Sequence, residues 1–430
     1  MANASGRLRL AVARVFGGGL WIDRTFGLLW LGQGVSEVGT QMTLLALPLA
    51  AAITLHATPL SMGFLTAIEL LPWLLFGVPV GQWVDRSSKR TLIILADVTR
   101  GVLLLSVPIL AIRGQLSIDY LYIVAFSVGV GSVFFEVAYQ SFLPEILPES
   151  KLVVANSRLE VTATIAQLSG PGLAGVLVQI LTAPVTLLVD SLSYFWAAIC
   201  VGLIRRETVR GAQGAEADEF RGMWGGLRFL LRDPVLRSLA AFSGAWNLGN
   251  NIVLAAYILY ALRVLHVSPA LLGGLLTVGS AAAVLSALVA RPVIDRLGLG
   301  RTLTVAAFGI SIADVAVPLI ATPSWAAIGL LALAQLMFGL FSAVYRVASV
   351  SLRQTVAPRE SLGRISAAIL FVSWGTIPIG ASLGGLLGTS IGLRMTIVCG
   401  VIVQLMAFLF ILFSPTRRYG ETSDRLLAAR

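Results

Sequence analysis

The sequence predicts an all-α membrane protein with twelve transmembrane helices in two six-helix bundles related as a parallel repeat. Three observations predict it: an excess of apolar residues, the division of the chain into twelve apolar runs, and a repeat at a constant offset of 210 residues. Of the 430 residues, 57% are hydrophobic and 12% carry charge. A soluble domain holds about 45–50% apolar and about 25% charged residues. Folded in water, this chain would expose large apolar patches, and its mean hydropathy of +0.89 agrees. Continuous apolar runs exclude an outer-membrane barrel, whose strands alternate in segments of about ten residues.

A spanning helix takes about 20 apolar residues, so twelve take about 240–290. Reading runs between charges and Pro/Gly breaks places helices near 26–52, 60–83, 91–112, 120–142, 155–180 and 184–204. After a polar stretch, the rest fall near 236–262, 268–290, 302–320, 325–350, 365–390 and 395–413. The domains are then 1–204, an N-terminal bundle; 205–235, a linker; and 236–430, a C-terminal bundle with its tail. Arg7, Arg9, Arg14 and Arg24 precede a first run too long for a signal-peptide core, so no cleavable leader is expected.

The net charge of +10 carries topology. Of 31 Lys and Arg residues, all but Arg100, Arg113, Arg263 and Arg394 fall on the tails or on alternate loops that share one side. By the positive-inside rule both termini and the central loop are cytoplasmic, in a multi-pass bacterial inner membrane protein. That distribution removes nucleic acid as a partner and leaves the lipid bilayer. Within the linker, Arg221, Arg228 and Arg232 share one helical face and Met223, Leu227, Leu230 and Leu231 the other, which fits a segment lying on the membrane surface.

The repeat is the most informative pattern. Asp85-Arg86 recurs as Asp295-Arg296, Leu55-His56 and Pro59 as Leu265-His266 and Pro269, and Gly63 as Gly273. Pro148 and Leu152 recur as Pro358 and Leu362, and Gly170, Gly175 and Leu177 as Gly380, Gly385 and Leu387. Six spans plus a linker on one side give two halves of equal orientation, related by an axis along the membrane normal. Two such bundles around a central gap suit alternating access by rocking.

The segment Gly81-Gln-Trp-Val-Asp85-Arg86-Ser-Ser88-Lys89-Arg90 resembles the signature loop of the major facilitator superfamily, with Ser88 at the usual second glycine. Its second copy keeps Asp295, Arg296, Gly298 and Arg301 but opens with Arg291. Tyr139 to Glu145, Gly170-Pro171-Gly172, Ser351 to Gln354 and Pro378 to Gly380 are similar to the drug-efflux branch, which includes macrolide-efflux and enterobactin-exporter-like proteins. The resemblance implies the major facilitator fold. It also implies a loop that holds the cytoplasmic side closed, through Asp85, Arg86, Arg90, Asp295 and Arg296. Independently of it, Asp85 can accept from a neighbouring helix N-terminus, while Arg86, Lys89 and Arg90 can hold a headgroup or a carboxylate. The alternative is a plain positive-inside anchor.

Ionisable residues at membrane depth are costly and mark function by default. The first half holds Glu37, Glu69, Asp97, Arg100, Glu136, Glu160 and Asp190; the second holds chiefly Asp314 and Arg346. Glu37 lies near the middle of the first span, with Asn247 as its repeat partner and Asn250 beyond it. The resemblance places the first, fourth, seventh and tenth helices around the cavity, so Glu37 and Asn247 are candidates for proton or substrate. A structural hydrogen-bonding Glu is the alternative. Glu69 divides evenly between proton carrier and structural partner. Trp73 and Trp246 offer aromatic walls to an amphipathic substrate or pack against helices and lipid. Glu136 and Arg346 are repeat equivalents expected to pair across a closed cytoplasmic gate or, alternatively, within their own bundles. Asp97 and Arg100, three apart, suggest a local pair.

Cys200 and Cys399 lie in apolar runs without CxxC or His neighbours, so neither a metal nor a disulfide is expected. No GxxxxGK[ST] loop occurs, which leaves an ion gradient as the energy source and no cofactor. Scarce His and Cys argue against a membrane enzyme. The resulting expectation is a monomeric secondary exporter of drug- or siderophore-like amphipathic small molecules by proton antiport. The alternative is an uptake or lipid-moving carrier of the same fold.

Overall fold

The computed structural model describes residues 24–76, 79–204, 227–320, 322–357 and 362–418. In chain order the helices of the first bundle are α1 Arg24–Leu49, α2 Pro59–Phe76, α3 Pro79–Asp85, α4 Lys89–Ile112, α5 Ile118–Ile146, α6 Glu149–Ile180 and α7 Ala183–Gly202. Those of the second are α8 Pro234–Leu259, α9 Pro269–Leu297, α10 Leu299–Ile312, α11 Trp325–Val356, α12 Leu362–Ser390 and α13 Leu393–Leu412. No strand occurs among the described residues. Eleven described segments are long and apolar enough to span a membrane. The twelfth span is α8 with its extension, whose polar residues Ser243, Asn247, Asn250 and Asn251 lower its hydropathy.

The expected span over 60–83 holds α2 and α3, and residues 77–78 between them lie outside the described residues. Polar caps set several helix starts. Ser117 accepts from the Tyr120 amide at 3.2 Å, Ser268 from Leu271 at 3.3 Å and Ser324 from Ala327 at 3.1 Å. Asp233 accepts from both Val235 and Leu236 at 2.9 Å and starts α8. The proposed amphipathic linker lies outside the described residues up to 226, including Arg221 and Met223. Its described end differs from a free surface helix: Leu230 is buried in the second bundle's core and Leu231 is exposed.

The repeat is geometric as well as sequential. Both α1 and α8 continue as π-helical turns, Ala50–Thr54 and Tyr260–Val264. In each, a Leu amide closes onto a carbonyl five residues back, Leu55 to Ala50 at 3.2 Å and Leu265 to Tyr260 at 3.1 Å. His56 and His266 follow with φ of 49° and 51°, left-handed turn positions.

Within the first bundle α1 packs on α6 and α7, α4 on α5 and α7, and α2 on α5. In the second, α8 packs on α12 and α13, α9 on α11, and α10 on α11 and α13. The bundles meet along two seams, α2 with α12 and α6 with α9. At one seam a Cβ on Gly63 would strike the Ala381 carbonyl and lie 2.8 Å from Gly385 Cα. At the other, a Cβ on Gly273 would strike the Pro171 carbonyl and lie 3.1 Å from Gly175 Cα. These are repeat mates: 63 with 273, 175 with 385, and 171 with 381. Glycines that marked the repeat in sequence are where the two backbones touch, and small residues permit that approach. Both contacts lie toward the face holding residues 55–58 and 265–268, the far face, opposite the terminal face that holds the ends of the described chain.

Candidate translocation site

On α1, Gln33, Glu37 and Gln41 lie four residues apart along one stripe, and Gln41 Nε2 donates to Glu37 Oε1 at 3.0 Å. Glu37 is half-buried. Its repeat mate Asn247 is half-buried on α8 and accepts at its backbone carbonyl from Asn251 Nδ2 at 2.9 Å; Asn250 is half-buried as well. Beside them, Trp246 stacks on Phe338 of α11 at 5.9 Å and 12°, and its indole Nε1 is buried without a partner. Gln33 Nε2 is also buried and unpartnered. Polar groups left open in this way can receive a ligand's acceptors.

Glu69 is half-buried on α2, where the helix passes so close to α5 that a Cβ on Gly129 would lie 2.6 Å from the Glu69 carbonyl. Trp73, one turn on, meets Trp374 of α12 edge to face at 5.8 Å and 82°. It is a contact between the bundles, closer to the terminal face than the glycine seam.

The expected gate residues are not brought together as a set. Glu136 accepts from Gln140 Nε2 at 2.8 Å on its own helix, while Arg346 is exposed on α11. No ion pair joins the two among the described residues. Arg90 works inside its own bundle: its Nε donates to the Val201 carbonyl at 3.2 Å and its Nη2 to the Gly202 carbonyl. A guanidinium there donates to the carbonyls at the end of α7, one of which, on Val201, also accepts from the Ile204 amide at 3.2 Å. Lys89 pairs with Glu145 of α5 at 3.1 Å. Arg86 and Arg296 are exposed. Asp295 faces Arg291 at 3.8 Å in an exposed pair. The side chain of Asp85 lies outside the described residues.

The densest polar cluster is elsewhere in the first bundle. Asp97 and Arg100 of α4 form a buried ion pair, with side chains 0% and 5% exposed. The guanidinium is sandwiched between Phe135 of α5 and Tyr194 of α7, 4.4 and 4.2 Å from the ring centroids. It also reaches Ser132 Oγ at 3.5 Å. One turn before Tyr194 stands Asp190, fully buried, which accepts from Thr43 Oγ1 of α1 at 2.5 Å and from Ser193 Oγ at 2.9 Å. Tyr194 Oη in turn meets Thr40 Oγ1 of α1 at 3.0 Å. The helices are held close: Ser191 Oγ donates to the Gly101 carbonyl at 2.7 Å, and Gly39 of α1 sits directly against Asp190 and Ser193. The sequence suggests Asp97–Arg100 as a local pair and places Asp190 among the charges at membrane depth without linking it to them. The missing link is that α4 and α7 pack together, which the spacing of 90 residues does not reveal.

One further contact escaped the sequence. On the far face Arg263 Nη2 crosses between bundles and donates to the Ala57 carbonyl at 2.7 Å and to the Ala52 carbonyl at 3.4 Å.

The sequence profile of a family described as transmembrane secretion effector matches residues 21–426. An MFS-type transporter of Bacillus subtilis, YfiS, is 22% identical over 422 residues, covering 93% of this chain and 96% of its own. The multidrug efflux pump Tap of Mycolicibacterium fortuitum is 22% identical over 399 residues, covering 90% and 95%. Among solved structures, a bacterial homologue of the iron transporter ferroportin in its inward-facing state superposes with a TM-score of 0.73 at 16% identity, over 90% of this chain and 98% of that one. That likeness carries the fold.

Proposed function

The chain belongs to the transmembrane secretion effector family of major facilitator transporters, and we propose that it exports amphipathic small molecules, drug- or siderophore-like, by proton antiport. It is a bacterial multi-pass membrane transporter of small-molecule substrates, not an enzyme. In this reading residues 1–204 and 236–430 rock as two units about the glycine seams, tethered by 205–235. The terminal face is cytoplasmic, as the distribution of Lys and Arg supports.

The observation that carries the reading is the asymmetry between the faces. Gly63 with Gly385, Gly175 with Gly273, and the Arg263 clamp hold the bundles together at the far face, whereas Glu136 and Arg346 stand apart toward the terminal face. Such a state receives substrate from the cytoplasm. Glu37, Asn247 and Asn250 with Trp246 then offer an acid, amides and an aromatic stack to the substrate, and Glu69 and Trp73 stand along the seam of α2 with α12. Closure of the terminal face pairs Glu136 with Arg346, near Asp85, Arg86, Arg90, Asp295 and Arg296. Export as the direction rests on the likeness to an efflux pump. A proton moving through a 100 mV potential supplies about 2.3 kcal/mol, enough to bias such an exchange.

The test is accumulation of a fluorescent lipophilic cation in cells carrying the wild type or Glu37→Gln, at two external pH values. Wild-type cells are expected to accumulate less dye, with a dependence on the proton gradient that Glu37→Gln loses. Normal export by the variant, together with flux blind to the gradient, rejects the mechanism. Inward flux of the dye in oriented vesicles favours the uptake carrier instead.

A further inference from the structure

We propose that Asp97, Arg100 and Asp190 form a single proton-binding site inside the first bundle, separate from the carboxyls at the bundle gap. Asp97 pairs with the Arg100 guanidinium. Asp190 stands one turn before Tyr194, whose ring covers the same guanidinium, and next to Ser191, which donates to the Gly101 carbonyl. With all three ionised the cluster holds one excess negative charge, and it is enclosed on every side: Asp97 and Asp190 are 0% exposed and Arg100 4%. An uncompensated charge in such surroundings is far costlier than a neutral set. One proton, forming one O–H bond on either carboxylate, removes the excess, and the pair titrates as a unit rather than as two separate acids.

The hydrogen bonding leaves room for that proton. Asp190 has both oxygens occupied, by Thr43 and Ser193. Asp97 gives one oxygen to Arg100, while its Oδ2 and the Arg100 Nε are buried without partners. Buried groups of this kind are rare in a purely structural network. Within the cluster Arg100 acts on Asp190, the charge acting on it from beyond the cluster is Glu37, and Tyr194 is the ionisable group beside all three cluster members. From α5 the cluster meets Phe135 and Ser132.

The site is wired to the moving parts. Thr40 and Thr43 tie it to α1, the helix that carries Glu37, and Phe135 ties it to α5 beside Glu136. Gain or loss of the proton alters what Arg100 must balance, and so changes the contacts that α1 and α5 make with α4 and α7. The use of this site in transport rests on the antiport reading; the binding of the proton does not.

The test uses the full-length protein in lipid nanodiscs without substrate. Aspartate carboxyls are labelled with carbon-13 in an Asp314→Asn background, so that infrared difference spectra separate buried aspartic acid from glutamate. The pH step is kept above the range near ~4 in which exposed aspartates titrate. The parent is expected to show one protonated aspartyl band per chain. Asp97→Asn and Asp190→Asn, both nearly isosteric, should each abolish it, because one carboxylate then faces one guanidinium. Arg100→Gln should double it, and Glu37→Gln should leave it in place. Absence of the band in the parent, its persistence in both Asn variants, or its loss in Glu37→Gln overturns the site. Should Arg100→Gln fail to fold, the two Asn variants decide. A normal band with flux blind to the proton gradient rejects antiport and keeps the site, whereas gradient-driven flux without the band does the reverse.

Discussion

Positions 97, 100, 190 and 194 carry Asp, Arg, Asp and Tyr in the first bundle; 210 residues later the second bundle carries Ala307, Ile310, Gly400 and Gln404. The two bundles share matched π-helical turns and left-handed histidines, although α10 gives way to a 3-10 helix at Ala313–Leu319 where α4 runs on to Ile112. In the second bundle Ala307 and Ile310 join an apolar core, and Gln404 donates to Asp314 at 3.1 Å. Among the described residues these six helices pack without a central ion pair, so the fold does not require the charges in the first bundle. Replacing a buried pair by apolar residues is often neutral or stabilising, whereas removing one partner costs about 3–5 kcal/mol. A retained pair of this cost points to work beyond packing.

The strongest way to break that comparison is Arg100→Ile, which writes the second bundle's residue into the first. It leaves two buried carboxylates unbalanced and should lower stability by about 3–5 kcal/mol, read as an earlier thermal unfolding transition in detergent. The triple variant Asp97→Ala/Arg100→Ile/Asp190→Asn should regain most of that loss. Equal instability of the single and triple variants would mean that the charges are structural after all.

Next comes a residue with no counterpart in the other half. Arg263 aligns with Ile53, so its clamp on Ala52 and Ala57 is one-sided. A hydrogen bond from a charged donor contributes about 1.5–3 kcal/mol. Arg263→Ile should thus open the far face, raising maleimide labelling of a cysteine at Thr277 at least about tenfold in a background without Cys200 and Cys399. Unchanged labelling would remove Arg263 from the closure.

The glycine seams sharpen the comparison from the side of likeness. Gly63→Ala and Gly273→Ala each push a methyl into the opposing backbone, at about 1–3 kcal/mol. Being repeat mates, they should shift the same far-face labelling in the same direction and by similar amounts. Opposite effects would show that the seams do not act as a pair. Smallest of all, Arg291→Gln breaks an exposed pair with Asp295; such pairs contribute about 0–1 kcal/mol, and no measurable change in the unfolding temperature is expected.

How much of this the sequence exposes depends on the range of the interaction. The spans and the repeat are legible because an apolar run and a fixed offset are local or self-referential patterns. The site is legible only in part. Glu37 and Asn247 are related by the offset alone. Arg90 was read with the gate because its loop resembles a gate motif, but its partners at Val201 and Gly202 follow from how α4 meets α7. The same packing of α4 on α7 brings Tyr194, one turn after Asp190, onto Arg100, and no spacing rule reaches across it. Nor does any rule reach Arg263, whose acceptors are backbone carbonyls that every residue possesses.

The proton coupling proposed here resides in the first bundle. It is tested most directly by uphill export of ethidium from proteoliposomes under an imposed proton gradient, comparing Asp190→Asn with Asp314→Asn. Asp190→Asn should abolish gradient-driven export while downhill exchange of the dye continues, and Asp314→Asn should keep both. Gradient-driven export that survives Asp190→Asn and disappears with Asp314→Asn would contradict the claim.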